Sequence, residues 1–195
     1  MKSHSINDRC TENDCRVVFK ASAQDLRWLC YTLTGDEELT EKVLDAALEQ
    51  SLKGATQVFR GWMLSWARRL IIKFCASTTR PWNPQLAQSA YPLRPMAIDS
   101  QNSSHLMRVL NLPLDVLQQG LLRLDALSRF VFVLRALEGY SRRDTSLLLN
   151  IDDRACEWVY LWAASALYSG VEQTENKWQK QFKHQPEHAF AQAGD

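Results

Sequence analysis

Four of the six prolines in this chain, Pro81, Pro84, Pro92 and Pro95, fall within one short stretch. Proline lacks the backbone donor a helix needs and pushes the residue before it towards extended conformations. The residues around the prolines are rich in Ser, Asn and Gln and keep no steady apolar period. No regular helix can cross such a segment, so positions 78–105 read as a linker. The chain is thereby divided into a segment at 17–77 and another at 106–169. A flexible amino terminus at 1–16 and a polar tail at 170–195 flank them. With 46% hydrophobic and 23% charged residues, the composition is that of a globular protein. Only seven glycines occur in 195 residues, and period-two alternation is scarce, which disfavours sheet. The expected fold class is all-α.

Before the linker, the spacing predicts three helices. The first spans Val17 to Leu33 and stops at Gly35, a residue suited to a helix end. The second opens in the acidic cluster Asp36-Glu37-Glu38, which complements the helix dipole. It carries Val43, Leu44, Ala47, Leu48 and Leu52 on one face and stops near Gly54. The third runs from Thr56 to Ala76, with Phe59, Trp62, Met63, Trp66, Leu70 and Phe74 as its apolar stripe. Three helices with one stripe each can form a small bundle. After the linker, Leu114–Leu124 and Leu127–Leu137 have helical patterns, and Glu138-Gly139-Tyr140 interrupts them. Ser141-Arg142-Arg143-Asp144 has capping-box spacing for a short helix through Leu149. Asn150-Ile151-Asp152 is a turn, and a last helix follows from Asp153 to Leu167. Such a pair of helices is either a helix-turn-helix or an ordinary helical hairpin.

The five cysteines, Cys10, Cys15, Cys30, Cys75 and Cys156, are odd in number and mostly scattered. The amino terminus lacks the apolar core of a signal peptide, and no window approaches a membrane span. Free thiols in a reducing cytoplasm are therefore expected. Cys10 and Cys15, with His4 nearby, have no paired motif downstream to complete a zinc site. The histidines His4, His105, His184 and His188 are dispersed. No nucleophile–base pair or phosphate-cradling Gly-rich loop is visible, so neither enzymatic chemistry nor a cofactor or metal is expected.

LEGYSRRDTSLLLNIDDRACEWVYLWAASAL resembles the helix-turn-helix of region four in extracytoplasmic-function sigma factors, the sigma-70 family proteins of bacterial RNA polymerase. The preceding LSRFVFVLRALEGYS is similar in both helix and turn. YTLTGDEELTEKVLDAALEQ resembles region two of that family, and FRGWMLSWARRLIIKF resembles the helix that follows it. The resemblance implies a region two-like bundle and a region four-like helix-turn-helix joined by the linker. It implies transcription initiation, with core RNA polymerase and promoter DNA as partners and an anti-sigma protein as a further possible one. Glu41, Leu44, Asp45 and Leu48 match polymerase-binding positions. Arg60, Arg68, Arg69 and Lys73 match the helix that meets the −10 element, or lie beside it. Arg142, Arg143, Arg154, Glu157, Trp158 and Trp162 fall in the helix-turn-helix, with Arg154 through Trp162 as the recognition helix.

The residues depart from that pattern in telling places. From Phe59 to Arg80 there are five basic residues and no acidic one, which suits phosphate contacts. Trp62 and Trp66 could stack on unpaired bases, although their helical spacing places both in the core stripe. Where the family helix ends in an Asp and an arginine cluster, Lys73-Phe74-Cys75-Ala76-Ser77 stands instead. Where the family has Asp-Leu-Val-Gln-Glu, Lys42-Val43-Leu44-Asp45-Ala46 stands. Between Asp153 and Leu167 only Arg154 is basic, and Trp158 to Ala164 is apolar almost all round. A helix entering the major groove needs donors and cations. This one calls for burial, either in a protein interface or beneath the tail bearing Trp178 and Phe182. Two functions are thus expected: a sigma-like initiation protein, or a sigma-derived interaction module that no longer reads the −35 element.

Overall fold

The computed structural model describes residues 9–79 and 100–182. Among these residues it is all-α, with nine α-helices and no strand. The first segment supplies α1 (Glu12–Ala21), α2 (Ala23–Thr34), α3 (Glu37–Gly54) and α4 (Met63–Thr78). The second supplies α5 (Ser100–Leu110), α6 (Leu114–Arg123), α7 (Ala126–Phe132), α8 (Arg142–Leu149) and α9 (Asp153–Phe182).

The expected first helix is in fact two. Helix α1 begins five positions before Val17 because Thr11 and Asp14 form a reciprocal capping box, Thr11 Oγ1 accepting from the Asp14 N–H at 3.2 Å. Residues 12–16, assigned to a flexible terminus by sequence, therefore belong to a helix, and Cys15 is fully buried within it. The chain turns at Ser22, whose backbone leaves the helical region, before α2 starts. Helix α2 ends as expected at Gly35, in the left-handed conformation with φ 69°, its N–H donating to the Tyr31 carbonyl at 2.7 Å. Asp36 caps α3 by accepting from the Leu39 N–H at 2.8 Å.

The third expected helix starts at Met63 instead of Thr56. Two short 3-10 turns, Ala55–Gln57 and Arg60–Trp62, precede it. Between them Val58 and Phe59 are extended, and a bridge pairs Phe59 with Arg9 while the Cys10 N–H donates to Val58 at 2.9 Å. A tertiary pairing has overridden the helical period here. As a consequence Phe59 and Trp62 leave the core stripe. The buried face of α4 is instead Met63, Ala67, Leu70, Ile71, Ile72, Cys75 and Ala76.

Positions 80–99, the proline-rich part of the expected linker, lie outside the described residues, as do 1–8 and 183–195. The last positions of that linker belong to α5. Helix α7 ends in a wide π-type turn over Val133–Leu137, closed by Glu138 N–H to Val133 and Tyr140 N–H to Leu134, each 2.9 Å. Gly139 supplies the positive φ of 70° that this exit requires. Helices α8 and α9 are joined by a tight turn at 150–152. Asn150 is left-handed there, and Asp152 accepts from the Arg154 N–H at 2.7 Å. Helix α9 continues without a break from Asp153 to Phe182. At ~1.5 Å rise per residue, Trp178 lies roughly 24 Å along the axis from Trp162. The first part of the expected tail, through Phe182, is therefore a continuation of α9.

The segments on either side of the linker share one core. A single packed cluster contains Leu26, Leu29 and Leu33 of α2, Ile71 of α4, Leu121 of α6, Phe130 of α7 and Val159 of α9. Helix α2 touches α3 and α4 on one side and α6 and α7 on the other. Gln118 Nε2 strengthens that seam by donating to Thr32 Oγ1 at 2.8 Å. Arg129, 9% exposed, lies at the end of α2, and a β-carbon on Gly35 would stand 2.7 Å from its Nη1. Burial pushes the Arg129 guanidinium below its ordinary range, partly offset by Asp125. Gly35→Ala combines left-handed strain with that clash. It should lower folding stability by about 1–3 kcal/mol in urea denaturation, against a change near zero for Gly61→Ala, where a β-carbon meets nothing within 4 Å.

Candidate nucleic-acid interface

A cleft of about 1010 Å³ opens where the 3-10 turns and α4 meet the exit of α7. One wall is Gln57, Val58, Phe59, Trp62, Ser65, Trp66, Arg68 and Arg69; the other is Leu137, Glu138, Gly139, Tyr140 and Asp144. The first wall comes from the helix break that the Cys10–Val58 pairing causes. Because Phe59 is extended, its ring and that of Trp62 stand out from the bundle, 43% and 67% exposed. They meet edge to face, with centroids 5.6 Å apart at 77°. Trp66 is half-buried, and its indole N–H is enclosed without a hydrogen-bond partner. Of the two tryptophans that helical spacing would bury, one is therefore a surface group.

Of the four basic residues singled out in this region, the cleft gathers two. Arg68 reaches across and makes a bidentate ion pair with Glu138, its Nε donating to Oε2 at 2.9 Å and its Nη2 to Oε1 over a shorter contact. Glu138 is 7% exposed in its side chain and Arg68 30%. The hydrogen bond to Glu138 holds the Arg68 guanidinium above its ordinary range, against the opposing effect of burial. Arg69 is exposed on the same wall. Arg60 points elsewhere and pairs with Asp14 of α1 at 3.1 Å. Lys73 is exposed one turn beyond Arg69, outside the cleft lining.

Glu41, Leu44, Asp45 and Leu48 follow the i, i+3, i+4, i+7 spacing of one helix face. The acids are exposed and the leucines half-buried. Glu41 is an ion-pair partner of Arg27, which also holds Glu37 at 2.6 Å.

In the second segment, Arg142 lies 3.8 Å from Asp153, and Arg143 and Arg154 are exposed. Glu157, which by sequence would repel a phosphate backbone, is engaged by Arg135 Nη1 at 2.9 Å. The Arg135 guanidinium also lies 4.6 Å from the centre of the Tyr160 ring. Val159, Ala163 and Leu167 are buried, Trp158 is half-buried, and Trp162 is 41% exposed. Of the positions expected to form a recognition helix, Arg154 through Trp162, Cys156 and Val159 are buried in the core.

Sequence reasoning missed Glu138 and Tyr140 as cleft residues. The signal was the break at Glu138-Gly139-Tyr140, which marks an irregular exit but not what it faces. Among the described residues no group of three or more His, Cys, Asp or Glu could hold a metal ion, and no helix is long and apolar enough to cross a membrane. No protein-family model matches the chain, and no curated protein matches it.

Glu138→Gln should lower folding stability by about 1–3 kcal/mol, since it strips a largely buried charge partner from Arg68. Trp62→Ala, on the open rim, should change it by less than about 0.5 kcal/mol. Chemical denaturation of both variants tests the contrast; equal losses would contradict it.

Proposed function

We propose that this chain acts as a sigma-like transcription initiation protein, binding core RNA polymerase and taking promoter DNA along the aromatic and basic face of its first segment. The observation that carries this reading is the cleft wall formed by Phe59, Trp62, Arg68 and Arg69. Exposed aromatic rings offer stacking platforms to unpaired bases, worth about 1–3 kcal/mol per base. Beside them the exposed Arg69 guanidinium can neutralise a phosphate, while Arg68 is held by Glu138. The face of α3 with Glu41, Leu44, Asp45 and Leu48 is the surface proposed for the polymerase. The place of action is then wherever the polymerase works, the cytoplasm of a bacterial cell. Reading of a −35 element by α9 is not part of the proposal, because Arg154 is its one basic residue between Asp153 and Leu167.

A second reading, a sigma-derived interaction module, is favoured by a separate observation. Leu147 on α8 and Trp162 on α9 are 71% and 41% exposed on the helix-turn-helix. Apolar side chains exposed on these helices suit a protein partner, such as a regulator of the anti-sigma kind, better than DNA.

Adding the full chain to core polymerase and scoring run-off transcripts over a promoter library tests the first reading. The wild type should initiate, and Trp62→Ala or Arg69→Ala should cut transcript yield about tenfold while leaving polymerase binding intact. Polymerase binding without initiation from any promoter would overturn the first reading in favour of the second. Absence of polymerase binding would overturn the first and leave the second to a non-polymerase partner.

A further inference from the structure

Within the core of the first segment, Cys30 of α2 and Cys75 of α4 stand with their sulfurs 3.6 Å apart. Both residues are fully buried. They are 45 positions apart in sequence, so only the packing of α2 on α4 brings them together. A disulfide requires a sulfur separation of about 2 Å. The gap is a van der Waals contact with nothing between the two atoms. To close it the two sulfurs must approach by about 1.6 Å.

We infer that Cys30 and Cys75 form an oxidisable dithiol, a site at which a hydroperoxide oxidant converts two core thiols into a disulfide tying α2 to α4. The step balances with one hydrogen peroxide. The Cys30 sulfur attacks a peroxide oxygen, the O–O bond breaks, and a Cys30 sulfenic acid forms as hydroxide leaves. The Cys75 sulfur then attacks the Cys30 sulfur, and the S–OH bond breaks as the S–S bond forms. Two electrons pass from the sulfurs to the peroxide, and the two thiol protons end in two waters.

The surroundings act on the two thiols in opposite directions. Contact with Cys75 lowers the Cys30 thiol from its ordinary range, against desolvation, with Thr40 and Arg27 acting in the same direction as Cys75. The same contact, together with burial, pushes the Cys75 thiol up. The contact is shared, so an exchange of attacking and resolving roles gives the same disulfide. At the last turn of α4 the Thr79 N–H and hydroxyl both bond to the Cys75 carbonyl. Both thiols are fully buried, so the oxidant needs a local opening, which helix ends allow at small cost. The site is independent of whether the cleft takes nucleic acid.

Non-reducing peptide mapping of the full-length chain after treatment with hydrogen peroxide tests the inference. The expected product is a Cys30–Cys75 linked peptide pair, lighter by two hydrogens and restored by dithiothreitol. The linked chain should melt about 10 °C higher than the reduced chain, from the closed loop. In Cys75→Ser, a dimedone adduct should appear at Cys30. Recovery of both as free thiols, or pairing of either with Cys10, Cys15 or Cys156, would overturn it. A linked chain melting at or below the reduced one would also overturn it, since the native geometry would not accommodate the bond. The wild-type map and melt decide the matter even where a serine variant fails to fold.

Discussion

The burial of α2 between two sets of helices is the constraint on which the rest of the structure depends. Leu26, Leu29 and Leu33 are 1% exposed or less, and they belong to a cluster that reaches α4 on one side and α7 and α9 on the other. Fully burying an aliphatic side chain is worth about 1.5–3 kcal/mol, so the seam draws its strength from the ordinary hydrophobic effect. That common wall fixes where α2 must stop. Gly35 turns the chain where Arg129 packs, and a side chain there would meet both left-handed backbone strain and a buried guanidinium.

The cleft is a product of the same seam. Once α2 has drawn the halves together, the exit of α7 lies opposite α4, and Glu138 comes within reach of Arg68. Two features made far apart in the chain then face each other. On one side is a helix interrupted by the Cys10–Val58 pairing, on the other a π-type turn released by Gly139. The ion pair neutralises one cation of the amino-half wall, while Arg69, Phe59 and Trp62 remain open to a ligand. Charge in the second segment is balanced in a similar way, with Arg135 of the π-type turn engaging Glu157 of α9.

Much of the fold was legible because local rules and tertiary demands agree. Gly35, the Asp36 cap and the Asn150-Ile151-Asp152 turn stand where composition placed them. Other positions were misleading for definite reasons. Thr11 and Asp14 begin a helix in a stretch too polar to show an apolar period. Phe59 and Trp62 fit a helical stripe in spacing, yet a bridge to Arg9 pulls the backbone out of helix and turns them to the surface. The candidate site was legible in part: Arg68, Arg69 and the tryptophans could be singled out as basic and aromatic, but Glu138 carried no mark of its partner.

By itself the sequence determined the helical class, several helix ends and the scarcity of cations between Asp153 and Leu167. These depend on residues within a few positions of one another, where propensity, capping and dipole act directly. Only the tertiary structure decided that both segments share a core, that Arg68 is held by Glu138, that Trp62 faces solvent and that Cys30 touches Cys75. Each of these joins residues remote in the chain. Their proximity comes from which faces exclude water together, a property of the packed whole that no local pattern encodes.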